Sequence, residues 1–126
     1  MTIINERKAF VDHLLSLTTT AILVLPNTPP SHSLPRIEVQ FGPAETKAFA
    51  DASISQVVHT CTLTLVGEKN VGTIGMDRLS NDVISHFALR TRFSDTTIVK
   101  EPEPQAPVTT DTDFRLPIVL TLLSLV

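Results

Sequence analysis

The sequence predicts an α+β fold: one domain over residues 1–126, with a mainly antiparallel sheet of about five strands and two helices packed on it. Three observations predict it. The hydrophobic patterns run in the order helix, three strands, helix, two strands. The segments between them are polar or rich in proline, and no internal repeat joins them. A chain of 126 residues with 42% hydrophobic content has the size and make-up of one folded domain and is too apolar for disorder.

The first helix is predicted over Ile3–Leu17, where Ile3, Ile4, Phe10, Val11, Leu14 and Leu15 share one broad face and Glu6, Arg7, Lys8, Asp12 and His13 the other. Thr2 is its expected N-cap, and Thr18-Thr-Thr ends it, because β-branched residues with competing hydroxyls disfavour continuation. Ala21–Leu25 is a short apolar strand stopped by Pro26-Asn-Thr-Pro-Pro30. Leu34–Phe41 alternates, with Ile37, Val39 and Phe41 inward and Arg36, Glu38 and Gln40 outward. Residues 42–56 are rich in Ala and Ser, with weak periodicity behind Gly42-Pro43. They are expected to form a mobile loop with a turn of helix near Glu45–Ala50.

Val57–Val66 is the clearest strand. Val57, His59, Cys61, Leu63 and Leu65 lie on one side, and a threonine ladder lies on the other, suited to a solvent-facing or lumen-facing surface. A second helix is predicted from Met76 to Arg90 with Met76, Leu79, Val83, Phe87 and Leu89 inward, followed by a short strand at Thr96–Lys100. Glu101-Pro-Glu-Pro-Gln-Ala-Pro107 stays extended, since each residue before proline avoids the helical region. Val108–Asp113 then reads as a polar loop.

The chain closes with its most hydrophobic segment, Phe114–Val126. As a strand it carries Phe114, Leu116, Ile118, Leu120 and Leu122 on one face and Val119, Leu123 and Leu125 on the other. A half-exposed strand would alternate apolar and polar, so both faces need cover, from this domain or from another subunit.

Composition narrows the function classes. Ten Lys and Arg are scattered and the net charge is −3, so no basic stripe marks a nucleic-acid reader. Six Phe with no Trp or Tyr leave little for stacking platforms. The acidic residues of 95–113 read as a solvated loop. A lone cysteine, Cys61, excludes an intrachain disulfide and suits a reducing cytosol. Charged residues interrupt the N-terminal segment, so no signal peptide is expected. The closing apolar run is too short for a membrane span.

No constellation of residues carries chemistry. Gly67-Glu-Lys-Asn-Val-Gly72-Thr73 sits between a strand and a helix, but a phosphate loop needs a lysine where Thr73 stands. His59 and Cys61 point the same way on one strand, yet zinc needs three or four ligands, and His13, His32 and His86 are scattered. Asp77 and Asp82 fall on different helix faces and form no dyad; Asp77 instead suits the first helical turn. The expectation is therefore a protein that is not an enzyme and uses no cofactor or metal. It should be a subunit that assembles through its sheet edge and presents loops to partners.

Nearly the whole layout resembles the tail terminator family of long-tailed phages, the lambda tail-terminator-like head–tail joining proteins. The resemblance is carried by the opening helix Ile3–Leu17, the strand Arg36-Ile-Glu-Val-Gln-Phe41 and the strand His59–Leu65. Gly75–Phe87 and the closing Phe114-Arg-Leu-Pro-Ile-Val-Leu-Thr complete it. Two features depart from that pattern: Leu and Val stand where relatives close on an aromatic residue, and 101–107 is unusually rich in proline.

The resemblance implies a structural virion protein, made in the host cytoplasm and located at the tail or neck. It would form a homohexameric ring that caps the tail tube and joins it to the head. Its partners would be copies of itself, the tail tube protein and the head–tail connector. Genomic DNA would pass through the lumen without specific binding, and no membrane would be involved. The alternatives are a head-completion or connector protein of the neck and, in another class, a small α+β ligand-binding domain or enzyme. The interface residues expected are Val119, Leu123 and Leu125 on the closing strand and Glu45, Lys47, Phe49 and Asp51 in the 42–56 segment.

Overall fold

The computed structural model describes residues 3–17, 22–25, 35–48, 55–68, 74–93 and 96–125. They form two helices, α1 (Ile3–Leu15) and α2 (Ile74–His86), and eight strands: β1 (Ile22–Val24), β2 (Arg36–Ala48), β3 (Ser55–Gly67), β4 (Arg92–Phe93), β5 (Thr96–Ile98), β6 (Glu103–Pro104), β7 (Val108–Thr109) and β8 (Phe114–Leu125). The fold is α+β, as the patterns predict. The expectation of about five strands is an undercount, because the extended proline-rich segment adds β6, the stretch expected as a polar loop over Val108–Asp113 adds β7, and the turn after α2 adds β4.

The strand order is β1-β2-β3-β8-β5-β4, with β6 and β7 also paired to β8. All pairings are antiparallel except β1 with β2. The closing strand is therefore central. Its one side pairs with β3 from Gly67↔Phe114 to Gln56↔Leu125, and its other side holds β5, β6 and β7 in succession. Among the described residues β8 therefore offers no edge, and the outer strands of the sheet are β1 and β4.

The register aligns the apolar alternation of each strand into rows. Ile37, Leu65 and Leu116 form one row; Val39, Leu63 and Ile118 the next; then Phe41, Cys61 and Leu120; then His59, Leu122 and Ile98. Both helices lie on this face, where Phe10 and Leu14 of α1, Met76, Leu79 and Val83 of α2, and Phe87 just after it join the core. Phe10 stacks on Phe87 at 5.2 Å between centroids and meets Phe41 and Phe93 edge-on at 5.7 and 6.1 Å. A core made largely of Leu, Val and Ile thus gains aromatic contacts at Phe10, and Phe87 meets Phe93 edge-on at 6.3 Å beside it. Leu89 and Leu15, both expected inward, are 40% and 60% exposed. Each helix ends sooner than its periodicity suggests, and the chain turns at Arg90 through a left-handed conformation with φ 73°.

The expected mobile loop over 42–56 is also corrected. β2 continues to Ala48 and β3 begins at Ser55, so most of that stretch is a long hairpin, with 49–54 outside the described residues. A bulge between Phe41 and Ala44 absorbs Gly42-Pro43 and lets the strand run on. Proline would break a regular ladder, but it is tolerated at a bulge. Gly42 is required there for space: a Cβ would run into Thr60 Oγ1. Gly42→Ala is expected to lower stability by about 1–3 kcal/mol through overpacking. Urea denaturation checks this, and the same change in a Thr60→Ala background should recover most of the loss.

The ends of the two helices are clasped to each other. His13 Nε2 donates to the His86 carbonyl at 2.9 Å, and His86 Nε2 donates to the His13 carbonyl at 2.7 Å. The two rings stack at 4.2 Å, and Phe93 stacks on His13 at 4.7 Å. Each imidazole thereby donates to a carbonyl in the last turn of the other helix, and the His13 carbonyl also accepts from the Ser16 N–H at 3.1 Å.

Candidate assembly face

The opposite face of the sheet is different in kind. It comprises the alternate positions of β3 and β8: Val58, Thr60, Thr62 and Thr64 beside Pro117, Val119, Thr121 and Leu123. All eight are half-buried. None of them belongs to the hydrophobic core cluster, to which both helices contribute. The register sets Thr64 against Pro117, Thr62 against Val119, Thr60 against Thr121 and Val58 against Leu123. These eight side chains carry no charge, although charged residues flank them in the same rows, Glu38 and Glu45 on β2 and Arg92 on β4. The patch's threonine hydroxyls are compatible with water and its valine and leucine side chains with a partner, so it can serve as a contact surface but supplies no acid, base or nucleophile of altered reactivity.

A closed ionic cluster bounds this face at one end. Arg36, Val66 and Arg115 lie in one row across β2, β3 and β8. Arg36 Nε meets Glu38 Oε2 at 2.8 Å, and its Nη2 lies 3.5 Å from Asp113 Oδ2. Arg115 Nε donates to Asp113 Oδ1 at 2.9 Å, and Arg115 Nη1 to Glu38 Oε1 at 3.4 Å. The Thr110 hydroxyl donates to Asp113 Oδ1 at 2.7 Å. Asp113 is buried, which corrects its reading as part of a solvated acidic loop. The hydrogen bond from Arg115, then that from Thr110, hold its carboxyl below the ordinary carboxylate pKa. The same Asp113 raises the pKa of Arg115.

Of the interface residues expected from sequence, Val119, Leu123 and Leu125 take register positions on this face. Glu45 and Lys47 do too, opposite Val58 and Gln56. Phe49 and Asp51 lie outside the described residues. The structure thus places five of the seven on one surface, with Glu45 and Lys47 on a strand instead of a loop.

The other candidates behave as structure. Cys61 is fully buried in the core, and His59 is 7% exposed on the same face. The His59 ring lies 3.5 Å from Ser124 Oγ, which is 2.8 Å from Thr96 Oγ1, so three polar groups inside an apolar layer share hydrogen bonds. Among the described residues no group of three or more His, Cys, Asp and Glu side chains is placed to hold a metal ion. Gly67 ends β3 against Met76, and 69–73 lie outside the described residues. Among the described residues no helix is long and apolar enough to cross a membrane. The His13–His86 clasp was missed from sequence. Its signal was a histidine in the last turn of each helix.

No family model matches this chain, and no curated protein matches it. The fold is shared with a solved structure whose name describes no activity. The two superpose with a TM-score of 0.76 at 16% identity, over 98% of this chain and 96% of the other. At that identity the likeness speaks to the fold alone.

Proposed function

We propose that the protein is a structural virion subunit, a tail terminator. It forms a homohexameric ring that caps the tail tube of a long-tailed phage and joins it to the head. The supporting observation is the uncharged face of β3 and β8, half-buried and outside the core, on a sheet whose other face both helices cover. A half-buried sheet face of threonine, valine and leucine that neither helix covers is the kind of surface that a neighbouring subunit completes. The layout of helices and strands that resembles the tail terminators adds to this reading. A lumen formed by such a chain would be uncharged or acidic, and would let DNA pass without holding it.

The test is assembly. Purified protein should sediment as a ring and should stop the growth of tail tubes formed from tube protein in vitro. Val119→Asp and Leu123→Asp place a carboxylate in the face without touching the core row. Both variants should keep the wild-type circular dichroism spectrum, sediment as monomers and no longer arrest tube growth. Unfolding of both would assign the face to the subunit's own stability and remove the support for assembly.

A further inference from the structure

The strap that joins β5 to β8 has prolines at 102, 104 and 107, and they fall on an edge of the sheet. β6 and β7 pair with β8 and with no other strand among the described residues, so their far side is open. The Gln105 N–H donates to the Pro117 carbonyl at 2.8 Å, and the bond is one-sided because Pro117 has no N–H to return. Along an antiparallel ladder, alternate residues turn their N–H groups to the same neighbour. Glu103 therefore also donates toward β8, and the nitrogen of Pro104 faces away from it. Pro102 and Pro107 have no N–H for either side. Of residues 102–107, Ala106 alone keeps a donor that neither proline nor β8 removes. Beyond them Val108 and Thr109 are β-branched and exposed, the kind of residues that would continue a sheet. Pro107 stops them on one side. On the other stands the turn closed by the Thr110 N–H on the Asp113 carbonyl at 2.8 Å. Glu101 and Glu103 are exposed along the same strap, with Lys100 as the neighbouring cation.

We propose that residues 101–109 are an edge guard: they cover β8 on this side and present a border to which a second copy of this chain cannot add a strand. A further strand needs donors and acceptors at alternate positions, and the strap withholds the donors. Two copies meeting edge to edge would also set glutamates against glutamates, which opposes pairing. Short edge strands, proline and charge are the means by which sheets avoid uncontrolled pairing. The guard does not depend on what occupies the open face; it keeps contacts between copies away from this edge.

Removing the guard tests it. One variant carries Glu101→Gln, Glu103→Gln and Pro104→Thr, all at exposed positions, which supplies a missing donor and takes away the charge. A control carries Glu68→Gln and Asp82→Asn, an equal loss of charge at exposed positions elsewhere. Circular dichroism checks that both fold, and Pro104→Thr alone replaces the triple variant if its spectrum changes. In sedimentation over a concentration series, the unguarded variant should grow to species of at least double the wild-type mass. It should also show an infrared band of intermolecular strand pairing that the wild type lacks. The control should keep the wild-type mass. An unguarded variant that holds the wild-type mass throughout would overturn the guard. Equal growth of the control would overturn it too, by assigning the effect to charge alone.

Discussion

Leu120→Asp should leave a chain that does not fold. Leu120 is fully buried in the middle of β8, paired with Cys61 and beneath both helices. A carboxylate there has no cationic partner, and an unpaired buried charge costs more than a small domain can absorb. The milder Leu120→Ala should remain folded but lose about 2–5 kcal/mol. Against a total of about 5–15 kcal/mol for a domain, that is a large fraction. Urea denaturation measures it as a lower midpoint at unchanged slope. A Leu120→Asp variant with a native spectrum and a cooperative transition would show that the core is not built around β8.

The second large effect is expected at Asp113. Its carboxylate is shared by Arg36 and Arg115, and the side chains of Asp113 and Arg36 are only 6% and 8% exposed. Asp113→Ala leaves the buried Arg36 with Glu38 alone, a loss of about 3–5 kcal/mol by analogy with other broken buried pairs. Asp113→Asn keeps the shape and one acceptor and should cost less. The pH dependence follows from the lowered pKa. Below the ordinary value of 3.8 the unfolded chain takes up a proton that the folded chain resists. The contribution of Asp113 is thus fully present above that value and is lost as pH falls through the lower folded value. Wild-type stability should drop steeply in that acid window, and the drop should be shallower in Asp113→Asn. Equal acid slopes in the two proteins would remove the cluster's role.

How much of this was legible in the sequence depended on which force governed each segment. Strict alternation identified β3 and the inward row of β8, because burial on one face of a strand leaves a period of two. The inward faces of both helices were legible for the same reason, at Phe10, Leu14, Leu79 and Val83. The run 44–48 is Ala-Glu-Thr-Lys-Ala, which has no apolar alternation; only pairing with β3 makes it a strand. The ladders at Glu103–Pro104 and Val108–Thr109 are likewise imposed by the neighbouring β8 and leave no local signal. Asp113 looked solvated because Arg36 meets it only after β2 and β8 are brought to either side of Val66, although its other partner, Arg115, stands two residues away in sequence. Of the candidate face, Val119, Leu123 and Leu125 were visible as the second apolar row of the closing strand, whereas Glu45 and Lys47 were expected in a loop and take their strand positions only through pairing with β3.

The order of the strands also governs when this domain can form during its synthesis. β3 is made midway along the chain, yet one of its two edges is paired only by β8, the last of the described strands. Until that strand clears the ribosome, Cys61, Leu63 and Leu65 have half of their lateral cover missing, and the helices have an incomplete surface to pack on. Folding therefore awaits translation of β8 instead of proceeding from the first residues onward. Pairings between such distant segments also slow the search itself. The nascent chain carries an exposed, β-prone, largely uncharged segment throughout that interval, and this is the stage at which a chaperone would have most to shield.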